Sequence, residues 1–285
     1  MTLLVTGAAG QLGQSVVRHL LDTYKVAPES IIAASRNPDK LSALAAKGIA
    51  TRKVDFDDAA GLAAAFSDID RLLIISTDSL DTPGKRLAQH KAAIHAAKQA
   101  GVKHILYTSM PNPDKSLVTF APDHLGTEDA IKASGIGYTI LRDAWYMDNF
   151  MMSLPHNLQG GKWYTATAGG KAPYISREDC ALAIAAALAS TATDSKTYTL
   201  TGSTAYSIKD IAATVTAITG RPLEVVDATD EQLAAGMTGA GLPKFLVDML
   251  VSADANIRAG NFASLSSDFT TLTGKEPQTL RSFFE

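Results

Sequence analysis

The sequence predicts an α/β protein built on a doubly wound parallel sheet, and three observations indicate this fold. Short, nearly continuous apolar runs alternate with longer helical stretches through the first half of the chain, as is typical of parallel strands covered on both faces. A glycine-rich turn, VTGAAGQLG, follows the first apolar run and opens a helical stretch. Capping residues stand where the helices are expected to begin and end.

Six strands are predicted, at Leu3–Thr6, Ile31–Ser35, Ala50–Asp55, Arg71–Ser76, His104–Thr108 and Tyr138–Arg142. Five helices are predicted between them, at Gln11–Thr23, Pro38–Lys47, Ala59–Phe66, Gly84–Ala100 and Asp123–Ser134. Asn37 precedes Pro38, which is typical of a helix start. Gly48, Gly101 and Gly135 stand where helices should end. Strands and helices in this order describe a Rossmann-type doubly wound sheet.

The regular alternation of strands and helices becomes less clear after about residue 150. The sequence predicts helices at Arg177–Ser190 and Ser207–Thr219, strands at Lys196–Thr201 and Leu223–Val226, and further helical segments to about Arg258. We expect residues 1–150 to form a dinucleotide-binding domain and residues 151–285 to form mainly a smaller α/β substrate lobe. The chain is expected to re-enter the first domain after residue 150.

Composition excludes several classes of protein. The net charge of −3 and the charged fraction of 19% leave no basic stripe for nucleic acid. A single cysteine, Cys180, excludes an internal disulfide and fits a reducing compartment. No apolar stretch reaches the roughly 20 residues of a membrane span, and the first strand leaves no room for a signal peptide. We expect a cytoplasmic monomer or homodimer without a metal site and without nucleic-acid or membrane partners.

The glycine turn has the context that a dinucleotide fingerprint needs, although its G-x-x-G-x-x-G spacing is one residue longer than usual. Gly7 would allow a tight exit from the strand, Gly10 would let the backbone approach a pyrophosphate, and Gly13 would let the helix pack closely. The alternative is a loop that merely needs glycine. Further strands in the same rhythm favour the fingerprint.

The residue after the second strand predicts which dinucleotide binds. A carboxylate roughly 20 residues after the glycines would hydrogen-bond a ribose 2′-hydroxyl, but Ser35 and Arg36 stand there instead. The guanidinium of Arg36 suits a 2′-phosphate, which a carboxylate would repel. A solvated surface arginine is the alternative. We therefore expect NADP(H).

Polar residues at three more strand ends are expected to line the same crevice, because ligands of doubly wound sheets bind beyond the carboxyl ends of the strands. Simple strand-end polarity is the alternative at each position. We expect Asp55 and Phe56 beside the adenine, Ser76 and Thr77 against a ribose, and Tyr107, Thr108 and Ser109 near the nicotinamide.

Together with the glycine turn, the stretches SRNPDK, LYTSM and YTILRDAWYMDNF resemble the NmrA-like branch of the atypical short-chain dehydrogenases/reductases. The resemblance runs over nearly the whole chain, and its most specific part is the segment from Leu141 to Phe150. It implies NADPH as cofactor and hydride transfer to a flat, quinone-like acceptor. It also implies cofactor contacts from Arg36 and from Gly7, Ala8, Ala9, Gly10, Gln11, Leu12, Ala144, Trp145, Tyr146, Met147, Asp148, Asn149 and Tyr174.

The chain departs from this family in two places. The helical Tyr-x-x-x-Lys pair of many such reductases is missing. Where that pair would fall, the chain reads HLGTE, in which His124 and Glu128 have the same i,i+4 spacing. They are expected to share a helix face near the crevice, with a structural pair as the alternative. Asp143 stands where relatives are expected to carry asparagine or proline.

Without the tyrosine–lysine pair, a quinone is the favoured acceptor, because it accepts hydride readily and leaves a delocalised phenolate. Donors near its oxygen would help, and Asn149, Tyr146 and His124 are the candidates. The acceptor ring is expected to lie on an apolar surface formed by Trp145, Tyr146 and Phe150, with ordinary packing as the alternative. A non-catalytic NADP(H) sensor and a carbonyl or dye reductase are the rival functions.

Overall fold

The structure, a computed structural model, describes all 285 residues. The strands, β1 to β9 in chain order, are Leu3–Val5, Ile31–Ser35, Ala50–Lys53, Arg71–Ile74, His104–Ser109, Gly137–Asp143, Lys162–Thr165, Lys196–Leu200 and Glu224–Asp227. The helices, α1 to α12, are Gln11–Asp22, Ser42–Ala45, Ala59–Ala65, Lys85–Gln99, Ala121–Ser134, Leu154–Gly160, Arg177–Ala189, Ile208–Thr219, Asp230–Gly239, Lys244–Arg258, Asp268–Thr273 and Leu280–Phe284. Three 3₁₀ turns span Pro28–Ser30, Pro38–Leu41 and Met147–Met152. None of the helices combines the length and apolar character needed to cross a membrane.

Seven strands form one sheet in the order β3-β2-β1-β4-β5-β6-β8. Every neighbouring pair from β3 to β6 is parallel. This order reverses its winding direction between β1 and β4, where ligands of such sheets bind. The predicted Rossmann-type doubly wound sheet is confirmed.

The continuous apolar runs of the sequence reflect burial on both faces of this sheet. Leu4 and Leu72 belong to a buried cluster that includes Ala93 and Ala97 of α4. Leu3, which precedes Leu4 and therefore faces the other side, is also fully buried. Strands covered on both faces cannot alternate polar and apolar residues, and this is why the pattern was readable from the sequence.

The sheet contains one strand more than the six predicted. β8, which follows residue 150 and was assigned to the smaller lobe, lies beside β6 at the end of the sheet. The backbone N–H of Ala144 donates to the carbonyl of Leu200 over 2.9 Å. Most side chains of β8 are exposed or half-buried, so its composition does not indicate which sheet it joins.

Other predicted boundaries also differ from the structure. The predicted helix Pro38–Lys47 is divided into a 3₁₀ turn and the short α2, and the side chain of Asn37 accepts from the N–H of Asp39 at the start of that turn. β3 ends at Lys53 rather than at Asp55, whose carboxylate accepts from the N–H of Asp57 over 3.0 Å and bends the chain. Helices α11 and α12 lie beyond the predicted helical region.

The chain forms two compact units that interleave along the sequence. The first comprises Met1–Ser109, Asp123–Arg142 and Glu178–Tyr198, and the second comprises Met110–Pro122, Asp143–Arg177 and Thr199–Glu285. In the second unit, β7 and β9 form a parallel pair. Its core is centred on Phe150, whose ring packs edge-on against Trp163 and Tyr174 at centroid distances of 5.5 Å and 4.8 Å.

Candidate functional site

The glycine turn between β1 and α1 is tightly constrained. Gly7 has a φ of +63°, a conformation that L side chains rarely adopt. A Cβ added at Gly13 would lie 2.3 Å from the carbonyl oxygen of Gly7, so α1 packs against the turn only with glycine there. The N–H of Ala8 donates to the carbonyl of Ala34 over 2.9 Å and fixes the turn against β2. Two of the three predicted glycine roles are thus required by the backbone.

Gly10 is the N-cap residue of α1, and it is exposed. No side chain caps this helix end, and its first turn contains no acidic residue. A helix N-terminus carries partial positive charge and inward-pointing N–H groups, so it favours an anion. Gln11 is exposed, Ala9 and Leu12 are half-buried, and Ala8 is buried.

Three basic or polar residues lie at the end of β2 and its neighbour β3. Arg36 is exposed, and its guanidinium lies 3.8 Å from the carboxylate of Asp78. Lys53 pairs in register with Ser35, so the two side chains project from the same face of the sheet. Lys53 is thereby a further candidate, which the β3-β2-β1 order of a doubly wound sheet would have indicated.

The ends of β4 and β5 are joined by hydrogen bonds. The backbone N–H of Ser76 donates to Oγ1 of Thr108 over 2.9 Å. The backbone N–H of Thr77 donates to Nε2 of His90 over 3.0 Å, and its hydroxyl donates to Gln89 over 2.8 Å. The predicted strand-end residues Ser76, Thr77 and Thr108 therefore lie together, and helix α4 holds Thr77 in place.

A buried polar network lies behind these strand ends. Nδ1 of His124 lies 2.8 Å from the hydroxyl oxygen of Tyr107, and its Nε2 lies 3.0 Å from Nη2 of Arg86. Nδ1 of His90 lies 2.9 Å from the hydroxyl of Thr127. Because Arg86 can only donate, Nε2 of His124 accepts and its hydrogen stands on Nδ1. The network ties α4, β5 and α5 together.

Both histidines of this network are uncharged. Burial, reinforced by Arg86, lowers the pKa of His90 to about 3 and holds the pKa of His124 well below its usual range. The side chain of His124 is only 4% exposed. The ring is enclosed within the first unit, which favours the structural alternative for His124.

Glu128 belongs to a separate ion cluster, although it shares α5 with His124. Its carboxylate accepts from Nε and Nη2 of the Arg142 guanidinium, over 2.9 Å and 2.7 Å. It also accepts from the hydroxyl of Ser109 over 2.7 Å. Burial alone would raise the pKa of Glu128, but Arg142 and Ser109 outweigh it and lower that pKa. The predicted His124–Glu128 pair is therefore not a unit, and the hydroxyl of Ser109 is directed to Glu128.

The two residues after β3 have different environments. Asp55 is half-buried and accepts the N–H of Asp57. Phe56 is packed into the cluster beneath the sheet with Leu62 and Phe66. This burial favours core packing of Phe56 in the first unit, and its place beside an adenine ring stays a prediction.

In the second unit, the segment after β6 is held at fixed positions. The N–H of Ile175 donates to the carbonyl of Trp145 over 3.2 Å, and the N–H of Met147 donates to the carbonyl of Ile175 over 2.9 Å. Asp148 accepts from the backbone N–H of Arg177 over 2.8 Å and from its guanidinium over 3.1 Å. Bonds on both sides of Tyr146 fix the backbone at this residue.

Asp143 and Tyr146 form a hydrogen-bonded pair within this segment. The hydroxyl of Tyr146 donates to Oδ2 of Asp143 over 2.8 Å. The other carboxyl oxygen, Oδ1, is buried without a hydrogen-bond partner. Burial raises the pKa of Asp143 to about 7, and the bond from Tyr146 acts in the opposite direction. The guanidinium of Arg177 lies over the Tyr146 ring, 5.2 Å from its centroid.

Other predicted site residues of the second unit are core side chains. Met147 and Tyr174 are each only 1% exposed, and Phe150 packs on Tyr174 in the same cluster. Apolar packing encloses these side chains, so their predicted contacts with cofactor or acceptor stay predictions that only backbone atoms or exposed edges would make. Trp145 and Asn149 are half-buried, and Trp145 lies 6.0 Å from the ring of Phe262. Ala144 is buried.

Comparisons with known proteins agree with this geometry. The model of the NmrA-like family matches residues 1–273. Quinone oxidoreductase 2 of Escherichia coli is 37% identical over 278 residues, which cover 98% of this chain and 96% of that protein. The crystal structure of the NADPH-dependent Escherichia coli quinone oxidoreductase 2 complexed with NADPH matches with a TM-score of 0.94 at 36% identity, covering 99% of this chain and 98% of that one.

Two relatives of different name are also similar over the full length. The Citrobacter sp. triphenylmethane reductase complexed with NADP(H) matches with a TM-score of 0.93 and 32% identity, covering 99% of both chains. The NAD(P)H azoreductase of Xenophilus azovorans is 28% identical over 282 residues, covering 99% of this chain and 96% of that protein. The sheet order, the constrained glycine turn and these full-length matches lead to one conclusion: the chain belongs to the NmrA-like family.

Proposed function

We propose that this protein is an NADPH-dependent oxidoreductase that reduces quinones. The observation that carries the proposal is the full-length similarity to an Escherichia coli quinone oxidoreductase 2 whose structure holds NADPH. The cytoplasm, which contains NADPH, fits this activity, and a small quinone is the expected partner. Reduction of azo or triphenylmethane dyes is the second candidate, because relatives named for those activities are similar over the whole chain.

The residues present fit a dinucleotide. The left-handed Gly7, the close packing at Gly13 and the uncapped start of α1 at Gly10 form a cradle that suits a pyrophosphate. Arg36 follows β2 and Lys53 ends the neighbouring β3, so the two would supply positive charge to the 2′-phosphate of NADPH. When bound, NADPH would supply the hydride.

This chain's own residues would position the acceptor and supply hydrogen bonds to its oxygen. Tyr146 and Asn149 are half-buried in the segment after β6 and carry an O–H and an amide N–H. His124 is less suited as a donor, because its ring is buried, uncharged and bonded to Tyr107. A quinone needs less acid assistance than an isolated ketone, so two neutral donors suit this reaction.

A Gly10→Val variant is expected to stay folded but to lose NADPH binding. A Cβ added at Gly10 meets only the carbonyl of Gly7, at 3.3 Å, so the turn tolerates it with a small shift. The branched side chain would occupy the space where a pyrophosphate approaches the backbone. Calorimetric titration with NADPH measures the loss, and circular dichroism checks the fold.

Gly236→Val is the matched control, because a Cβ at Gly236 in α9 meets no atom within 4 Å. It should bind NADPH as the unmodified protein does. Folded Gly10→Val protein that binds NADPH with unchanged affinity would contradict the cradle.

An Arg36→Ala variant is expected to bind NADPH roughly 10- to 100-fold more weakly and NADH almost unchanged. The loss corresponds to one hydrogen bond to a charged group, about 1.5–3 kcal/mol. Titration with both dinucleotides measures it, and Lys47→Ala controls for the loss of one exposed positive charge. Equal losses for the two dinucleotides would exclude a contact between Arg36 and the 2′-phosphate.

Single-turnover oxidation of NADPH tests the proposed function. The purified protein is saturated with NADPH and mixed with 1,4-benzoquinone, a simple ketone, an azo dye or a triphenylmethane dye, and each trace is corrected for the uncatalysed reaction. We expect the fastest oxidation with the quinone. Faster oxidation with a dye would favour the second candidate, and bound NADPH without oxidation by any acceptor would indicate a non-catalytic sensor.

A further inference from the structure

Asp143 is a buried acid that the proposed function does not yet use. It is the last residue of β6 and only 8% exposed. Its Oδ2 accepts from the hydroxyl of Tyr146 over 2.8 Å, and its Oδ1 is buried without a partner. An ionised carboxylate with one unsatisfied oxygen is costly in such surroundings, whereas the protonated acid is not.

The charged groups near this pair are engaged elsewhere. The guanidinium of Arg177 lies over the Tyr146 ring, 5.2 Å from its centroid, and is paired with Asp148 over 3.1 Å. Arg142, the preceding residue, is bound to Glu128. On the β8 side, the backbone N–H of Ala144 donates to the carbonyl of Leu200. Burial therefore dominates and raises the pKa of Asp143 to about 7.

We propose that Asp143 is a positioning residue that controls the hydrogen of the Tyr146 hydroxyl and thereby supplies the single proton that quinone reduction consumes. This inference rests on the proposed function. When Asp143 is ionised, Tyr146 must donate its hydrogen to Oδ2. When Asp143 is protonated, its own O–H can donate to the tyrosine oxygen, and the Tyr146 hydroxyl can then donate its hydrogen to an acceptor.

The step balances. A quinone takes up a hydride, which carries two electrons and one proton, from the nicotinamide reductant, and it needs one further proton to become a hydroquinone. The O–H bond of Tyr146 breaks as the new O–H bond forms on the acceptor, and its electron pair stays on the tyrosine oxygen. That oxygen takes the proton of Asp143, and the resulting carboxylate is reprotonated from water.

The pH profile of kcat/KM with 1,4-benzoquinone tests the inference between about pH 5 and pH 9. For the unmodified protein, we expect kcat/KM to fall as the pH rises through about 7, with a slope of one proton. Asp143→Asn keeps an amide oxygen for Tyr146 but has no proton to lose, so its profile should be flat and roughly 10- to 100-fold lower at acidic pH. Tyr146→Phe should be similarly flat, and it provides the test if Asp143→Asn does not fold.

Infrared difference spectroscopy supplies a readout without turnover. A protonated-carboxyl band should disappear through about pH 7 in the unmodified protein and be missing from Asp143→Asn. Asp129→Asn, which removes an exposed carboxylate of α5, should keep both the band and the inflection. Catalytic oxidation with the same inflection in Asp143→Asn would overturn this inference alone. No oxidation by the unmodified protein with any acceptor would overturn the proposed function and this inference with it.

Discussion

An Asn149→Ala variant is expected to reduce 1,4-benzoquinone between about 10- and 1000-fold more slowly, the range for loss of one positioned donor to a developing oxyanion. Asn149 lies in the 3₁₀ turn after β6, where its backbone N–H donates to the carbonyl of Tyr146 over 3.2 Å. That bond holds the backbone of Asn149, and with it the Cα from which the amide side chain projects. Single-turnover oxidation of bound NADPH measures the rate, and NADPH titration separates it from cofactor binding.

His124→Ala is the informative comparison for Asn149→Ala. His124 is buried, uncharged and bonded to Tyr107. Its removal should therefore lower the free energy of unfolding. The rate of quinone reduction per folded molecule should change less than in Asn149→Ala. An inactive but folded His124→Ala protein beside a normal Asn149→Ala protein would reverse the assignment of donors.

Acid is expected to remove stability that the buried histidines provide at neutral pH. Burial lowers the pKa of His90 to about 3 and that of His104 to about 4, whereas an unfolded histidine titrates near 6.5. The unfolded chain therefore binds more protons below about pH 6.5, and stability falls as the pH drops from there toward the folded pKa. Each histidine should contribute about 2 kcal/mol of this loss between pH 7 and pH 5.

The stability measurement compares the unmodified protein with His104→Gln and with His90→Gln in urea at both pH values. Both variants should be less stable at pH 7, because His104 bonds Thr139 over 2.8 Å and His90 bonds Thr77 over 3.0 Å. Each difference should shrink by about 2 kcal/mol at pH 5. Asp143 changes the free energy of unfolding with pH in the opposite direction, since its raised pKa means that acid protonates the folded state first. The contribution of each histidine is therefore read from the difference between the unmodified protein and its variant at the same pH. Differences that stay constant with pH would contradict the argument.

The sequence predicted those parts of the fold that depend on local chemistry. Continuous apolar strands, glycine helix ends and the Asn37–Pro38 start each leave a pattern along the chain, and the structure has strands or helices at these places. Gly7 and Gly13 were identifiable because a left-handed turn and a close helix approach permit little else. The position of β8 was not predictable, since its half-exposed residues would suit the edge of either sheet.

The candidate site was predictable only as far as backbone position determines it. Strand ends could be located, but the direction of each side chain depends on neighbours that are distant in sequence. Phe56 and Tyr174 face the cores of their units, and Ser109 faces Glu128, because apolar packing and an available carboxylate decide their orientations. Asp143 was noticed as an unusual residue, yet its bond to Tyr146 and its unpartnered Oδ1 required coordinates.

The interleaving of the two units determines how this protein can be recombined with its relatives. Because α7 and most of β8 return to the first unit through Glu178–Tyr198, a fragment that stops near residue 150 lacks one edge strand of its sheet. Neither unit is a contiguous piece that a gene truncation would release. A chimera that keeps either unit intact must exchange three segments at once, with junctions after Ser109, Pro122, Arg142, Arg177 and Tyr198.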